Sequence, residues 1–161
     1  MEILDLTRPR RIFWILSTAL SIVTGCQTRP HLTVLDVTEA GWQVQTGQAI
    51  WKRGSHATEI AGELLLAQQR DGRAFMQFTK TPFPVVTAQT TATNWVMSFP
   101  GVRREYSGNG KRPERLAWLY LPEAMVGKPL PKAFHFVKNP DGKWRLENTR
   151  TGERLEGYLA P

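Results

Sequence analysis

Cys26 is the residue whose type and position together indicate a specific reaction. It is the only cysteine of the chain, so no intramolecular disulfide can form, and its thiolate is a nucleophile. Upstream, Arg8, Arg10 and Arg11 precede an uncharged, mostly apolar run over residues 12–24. This run is shorter than the roughly 20 residues that a membrane-spanning helix needs. It has the length and flanks of the apolar region of a signal peptide.

The residues before this cysteine support the same interpretation. Val23, Thr24 and Gly25 precede Cys26, and the four residues resemble the lipobox of bacterial lipoproteins. The resemblance implies cleavage before Cys26, diacylation of its thiol and acylation of the new amine. Two or three acyl chains make membrane attachment effectively permanent, whereas one is marginal. In proteobacterial sorting an Asp after the cysteine favours the inner membrane. Because Gln27 stands there, we expect a lipid anchor in the outer membrane, on its periplasmic face. An uncleaved anchor with an incidental cysteine is the alternative.

Other catalytic constellations are missing from the sequence. The histidines lie far apart and show no metal-ligand spacing: His31, His56 and His135. Ser55 adjoins His56 in a predicted turn, where adjacent residues seldom form a nucleophile–base pair. Glu153 and Glu156 point to opposite faces of a predicted strand. No phosphate-binding glycine loop, nucleophile elbow or zinc-protease motif occurs. We therefore expect neither an enzyme nor a metal or other cofactor.

Large apolar side chains are abundant, with six Trp, seven Phe and four Met. In a small closed barrel they would fill the core, whereas in an open curved sheet they would line an apolar pocket. Met76 and Met97 favour the second arrangement, because flexible thioethers suit variable apolar ligands. The candidate ligand-binding residues are Met76, Phe78, Phe83, Trp95, Met97, Phe99 and Trp118.

The formal net charge of +7 is spread along the chain without a long Lys/Arg run. A basic chain can bind nucleic acid, but an exported protein is not expected to have nucleic acid as its partner. Contact with anionic lipid headgroups fits an exported basic protein better. A solvated basic surface without any partner is the other interpretation.

Alternation of polar and apolar residues predicts short β-strands joined by tight turns. Asp71-Gly72 is typical of a hairpin, Gly47 marks a bulge or a close approach, and the prolines around Phe83 interrupt the ladder. Residues 113–120 are predicted as the helix, with proline in its first turn and Pro122 ending it. We count eight or nine strands. The fold class is therefore mainly β, a single curved antiparallel sheet or incomplete barrel with one short helix.

The domain organisation follows from these elements. Residues 1–25 are predicted to be the lipoprotein signal peptide, residues 26–40 the lipidated N-terminus and a polar tether, and residues 41–161 one β-domain. We expect a monomer.

Short motifs spread over this β-domain resemble a known family, the outer-membrane lipoprotein receptors of the LolB type within the LolA/LolB lipoprotein-localisation fold. The first strand is similar at residues 42–49 (WQVQTGQA), and the strand-to-loop step at 78–83 (FTKTPF). The helix and the following proline-rich segment are similar at 113–119 (PERLAWL) and 127–131 (GKPLP). The late strand is similar at 142–146 (GKWRL).

The resemblance implies a curved antiparallel sheet around a helix, with a cavity for acyl chains. The implied role is to accept lipoproteins from a soluble periplasmic carrier and to insert them into the outer membrane, with Phe83 as an exposed residue that touches lipid. A buried aromatic between two prolines is the alternative for Phe83. The chain departs from the family in being shorter, with no room at residues 108–112 for an additional helix and little helix before the first strand. Both losses imply a shallow cavity or a module without the transport role.

Three functional hypotheses follow. The first is binding or transfer of lipids or lipidated proteins without covalent chemistry. The alternative is a structural or adaptor lipoprotein of an envelope complex, which predicts a packed interior. A lipid-anchored hydrolase is the least supported, because no nucleophile–base pair is present.

Overall fold

A computed structural model of the chain describes residues 36–160, and within them nine strands form one antiparallel sheet. The strand order is β6-β5-β4-β3-β2-β1-β9-β8-β7, and the sheet is not closed into a barrel. The predicted mainly β fold with a single antiparallel sheet is confirmed. The signal peptide, Cys26 and most of the tether lie outside the described residues. The strands are β1 (Gln43–Lys52), β2 (Glu59–Gln68), β3 (Ala74–Lys80), β4 (Phe83–Thr90), β5 (Asn94–Phe99), β6 (Arg104–Asn109), β7 (Phe134–Lys138), β8 (Lys143–Asn148) and β9 (Glu153–Leu159).

The predicted helix over residues 113–120 is wrong in its position. That stretch contains turns and a 3-10 turn at Ala117–Leu119, and the α-helix, α1, follows at Leu121–Met125. Pro122 does not end a helix but lies in the first turn of α1, where its fixed φ and missing N–H are tolerated. Every residue from 116 to 122 is buried. A segment buried on all sides has no polar face, so its apolar spacing does not identify a helix.

Strand pairing decides between the two alternatives for Gly47 and corrects the prediction for the prolines. β1 runs without interruption through Gly47, which is paired with both β2 and β9. β4 begins at Phe83 and includes Pro84, so the prolines do not end the ladder. The pairing of β3 with β4 instead shifts its register between Phe78 and Thr79.

The core lies on one face of the sheet, which we call the inner face. Alternate residues of the strands point into it and are nearly inaccessible, as their period of two requires. The segment Leu116–Ala124, here called the plug, packs across this face, and Trp118, Leu119 and Leu121 are fully buried. Strand residues buried in this core include Ala49, Trp51, Leu64, Leu66, Met76, Phe78, Val86, Met97, Trp144, Leu146 and Leu155.

Two glycines permit the close approach of β1 and β9. A Cβ added to Gly157 would lie 2.1 Å from the carbonyl oxygen of Gln48, and one added to Gly47 would lie 2.0 Å from that of Tyr158. Both distances are far shorter than any non-bonded contact between a carbon atom and a carbonyl oxygen. Gly47 therefore marks a close approach and not a bulge.

Gly157→Ala tests this constraint. The methyl group must push β9 away from β1, and overpacking of this kind costs about 1–3 kcal/mol. Chemical denaturation should show that loss in the free energy of unfolding. Gly101→Ala is the matched control, because a Cβ there meets nothing within 4 Å. Equal stability of the two variants would contradict the close approach.

Candidate functional site

An aromatic cluster surrounds Trp118 on the inner face. The Trp118 ring lies 5.1 Å from that of Phe78 and 5.7 Å from that of Trp51, centroid to centroid. Trp51 is in turn stacked on Phe99 at 6.1 Å. These distances are those of aromatic pairs that pack directly against each other. The cluster is therefore a core contact between the plug and strands β1, β3 and β5.

The residues predicted to line an apolar pocket are located in this core. Phe99 is partly buried, and the other five inner-face candidates are at most 7% exposed: Met76, Phe78, Trp95, Met97 and Trp118. The strand residues of this set are buried in one core with the plug, to which Trp118 itself belongs, so they do not line an open pocket. Their binding of an apolar ligand stays a prediction. Sequence periodicity placed Met76 and Phe78 on one face of β3, and Trp95, Met97 and Phe99 on one face of β5, as the structure has them. It could not show what covers these faces.

Glu153 connects the plug to the sheet by hydrogen bonds. The sequence analysis did not predict this role. Its side chain is 6% exposed. Trp51 Nε1 donates to its Oε1 at 2.9 Å, and the backbone N–H of Ala117 donates to its Oε2 at 3.1 Å. Burial raises the pKa of Glu153 above 4.5, and the two N–H donors oppose this rise. An acidic residue at an inward position of a strand, two residues before buried Leu155, was the available signal.

Further hydrogen bonds hold the plug and the segment that leads into it. Asn148 Nδ2 donates to the carbonyl oxygen of Glu114 at 2.5 Å, and Gln68 Nε2 donates to that of Pro122 at 2.7 Å. Arg112 donates to the carbonyl oxygen of Leu119 at 2.8 Å. Buried backbone groups of an irregular segment need such partners. The plug is thus fixed by polar contacts as well as by apolar packing.

Phe83 lies away from the other candidates. It is 72% exposed, at the start of β4 in the β3–β4 hairpin, and its backbone is paired with Lys80. The alternative of a buried aromatic between two prolines is therefore wrong. A largely exposed phenylalanine at a hairpin tip is available for contact with lipid or with another protein.

An open groove crosses the outer face of the sheet, opposite the plug. Its volume is about 1090 Å³, and it runs from β2 across β1, β9 and β8 to β7. The apolar residues of its floor are Ile50, Ala61, Val137 and Tyr158, and its polar lining includes Gln48, Glu63, Lys80, Thr81, His135, Lys143, Arg145, Glu147 and Glu156.

Cross-strand pairing explains how this groove is assembled. Ala61 is opposite Ile50, Ile50 is opposite Glu156, and Glu156 is opposite Arg145. Arg145 Nε lies 2.8 Å from Glu156 Oε2. The lining comes from strands that are distant in sequence, so periodicity alone did not indicate the groove. Its mixture of small apolar patches and paired charges suits an extended polar chain better than an acyl chain.

The remaining candidate residues do not converge. Glu153 and Glu156 point to opposite faces, His135 lines the groove, and His56 is exposed in the β1–β2 turn. His31 lies outside the described residues. Within residues 36–160, no three His, Cys, Asp or Glu side chains are placed to hold a metal ion. No helix in the same part of the chain is long and apolar enough to span a membrane.

No protein-family model matches the chain. No curated protein matches it significantly either. The candidate site is therefore argued from the geometry of this chain alone.

Removal of the Glu153 carboxylate should destabilise the fold. Glu153→Ala leaves the Trp51 and Ala117 N–H groups buried without an acceptor, at about 1–3 kcal/mol for each. Glu153→Gln keeps an acceptor oxygen and should lose less. Because the folded-state pKa is raised above 4.5, the contribution of Glu153 should fall as the pH rises through that folded pKa. Urea denaturation at several pH values measures both effects. A wild-type stability that rises relative to Glu153→Gln over this range would contradict the assignment.

Proposed function

We propose that the chain is a lipid-anchored, non-enzymatic lipoprotein of the outer membrane that promotes the insertion of lipidated proteins through surface contacts. The observation that carries the proposal is the 72% exposure of Phe83 at a hairpin tip. Burial of a phenylalanine side chain in an apolar phase stabilises by about 1.5–3 kcal/mol. Phe83 therefore favours contact with acyl chains at a membrane surface.

The anchor follows from the N-terminal sequence. An apolar run ends at residues 23–26 (VTGC), which resembles a lipobox, and acylation of Cys26 would hold the β-domain within reach of the bilayer. A tethered domain meets the membrane at a high effective concentration. One exposed aromatic side chain is then sufficient for repeated contact, although it would bind vesicles only weakly from solution.

Occupation of the inner face changes how such a protein would handle acyl chains. The plug fills the volume in which the resemblance implies a cavity, and Trp118 is fully buried there. Storage of an acyl chain inside the sheet would require displacement of the plug. We therefore propose that incoming acyl chains are guided along Phe83 and into the bilayer without being enclosed.

An adaptor lipoprotein of an envelope complex is the second candidate. The packed inner face is what that hypothesis predicts. The outer groove adds a surface on which another protein's extended segment would find apolar contacts from Ile50 and Val137 and polar ones from Arg145. This candidate predicts one stoichiometric partner that co-purifies with the chain and that is lost when the groove is altered.

The anchor is tested at Cys26. The mature chain should begin at Cys26 and carry acyl chains, because thiol acylation precedes cleavage in the lipobox reaction. Cys26→Ser should leave the precursor uncut, with residues 1–25 still attached. Mass spectrometry of the N-terminal peptide distinguishes the two forms. A wild-type N-terminus without added acyl mass would refute the anchor.

The insertion role is tested at Phe83. Phe83→Glu places a charge where apolar contact is required and should reduce transfer of a lipoprotein from a soluble carrier to vesicles at least tenfold, with unchanged circular dichroism. Val44→Glu is the matched control, because Val44 is 45% exposed at the start of β1, and its transfer rate should equal that of the wild type. A transfer rate equal to that of the wild type in the Phe83→Glu variant would refute the insertion role and favour the adaptor candidate.

A further inference from the structure

The antiparallel order brings the β1–β2, β3–β4, β5–β6 and β8–β9 turns to the same end of the sheet. These turns meet there because successive hairpins alternate between the two ends. We call residues 53–58, 80–84 and 100–104 of these turns the basic end. The β2–β3, β4–β5 and β7–β8 turns lie at the opposite end.

Two neighbouring tips of the basic end carry exposed apolar side chains. Phe83 is 72% exposed and Val102 is 66% exposed, the two largest values among the large hydrophobic residues of the described chain. Strands β4 and β5 are paired, and the 3-10 turn Pro100–Val102 contacts β4. The two side chains therefore lie on adjacent hairpins and can meet one surface together.

The basic end is cationic, and the carboxylate of Glu63 in β2 reaches it by accepting a hydrogen bond from Thr81 Oγ1 at 3.1 Å. Residues 53–58, 80–84 and 100–104 include no Asp or Glu. Four exposed cations are located there, and within residues 36–160 none of them forms an ion pair: Arg53, Lys80, Arg103 and Arg104.

The opposite end differs in charge. Asp71 pairs with Arg73 at 2.7 Å, and Asp141 pairs with Lys143 at 3.0 Å. Each carboxylate thus neutralises a cation within its own turn. Arg70 and Lys138 are also exposed at this end, and neither forms an ion pair within residues 36–160. The basic end is distinguished by Phe83 and Val102 beside four such cations.

Arg103 adds a conformational argument. Its φ is 50°, and in the described part of the chain it is the one residue other than glycine with a positive φ. The left-handed region is unfavourable for an L-residue with a Cβ, and such outliers are concentrated at functional positions. A glycine would relieve the strain but would remove a cation beside Val102.

We infer that the basic end is a docking surface for an anionic bilayer, with Phe83 and Val102 entering the apolar layer and the surrounding cations contacting headgroups. This inference rests on the proposed function, because it requires a domain held at a membrane. Each basic residue close to an anionic membrane surface strengthens binding about fivefold. Two adjacent apolar tips beside four cations without ion pairs complement a surface that is anionic at its headgroups and apolar beneath them.

The length of the chain before β1 is compatible with this orientation. β1 starts at the opposite end and has ten residues, which corresponds to about 33 Å. Residues 37–41 form turns, and the ten residue steps from Cys26 to Asp36 reach at most ~35 Å when extended, which is about the length of β1. An anchor at Cys26 therefore permits the basic end to contact the same membrane.

The test uses the full mature chain with acylated Cys26, reconstituted in phosphatidylcholine vesicles with or without phosphatidylglycerol. Because the chain has no other cysteine, Val102→Cys provides a single thiol for an environment-sensitive dye. Its emission should shift to the blue in the anionic vesicles. The same dye on Ala92→Cys, in the β4–β5 turn of the opposite end, should not shift, which controls for the dye's own affinity for lipid.

The cations are then removed. In the Val102→Cys background, Arg103→Gln with Arg104→Gln should weaken docking about 25-fold and abolish the blue shift, and Lys80→Gln should weaken it about fivefold. The single Lys80 variant covers the case in which the double variant fails to fold. Equal shifts at positions 92 and 102, or a shift that does not depend on phosphatidylglycerol, would overturn the docking surface. A missing acyl mass on Cys26 would instead show that the proposed anchor has failed.

Discussion

An open antiparallel sheet leaves one apolar face that something must cover, and in this chain the plug Leu116–Ala124 covers it. Trp118, Leu119 and Leu121 are fully buried against the inner face. At about 2–3 kcal/mol for each buried large apolar side chain, these three residues contribute roughly as much as the net stability of a small domain. The fold therefore depends on the plug, and the Glu153 contacts to Trp51 and Ala117 fix its position.

Because the plug covers the inner face, the candidate functional sites lie on the surface of the domain. The aromatic and methionine side chains that suit an apolar ligand are buried in the same core as the plug. The exposed features are Phe83 and Val102 at the basic end, and the groove across the outer face. We therefore propose that the protein acts by presenting a rigid surface at a membrane. The resemblance to lipoprotein receptors with an acyl-chain cavity stays a prediction. Because the plug occupies the inner face, storage of an acyl chain there is less favoured than transfer at the surface.

Local patterning was sufficient to predict the strands but not the covering of the sheet. The period of two placed Met76 and Phe78 on one face of their strand, and the structure agrees. The helix prediction failed because the residues around Trp118 are buried on every side, and a uniformly buried segment has no helical stripe to detect. Glu153 was missed because its partners, Trp51 and Ala117, are brought to it only by pairing of the first strand with the last. The groove has the same origin, since its lining comes from β2, β1 and β7–β9. The N-terminal predictions, including acylation of Cys26, depend on short motifs and lie outside the described residues.

Amide hydrogen exchange within the plug tests the central claim most directly. The backbone N–H groups of Ala117, Tyr120 and Ala124 are hydrogen-bonded to Glu153, Ala117 and Tyr120 respectively. If the plug is a permanent part of the core, these amides should exchange as slowly as those of β1 and should be unaffected by an acylated peptide. Selective acceleration of their exchange when the peptide is added would show that the plug leaves the inner face, and would contradict a surface-acting protein.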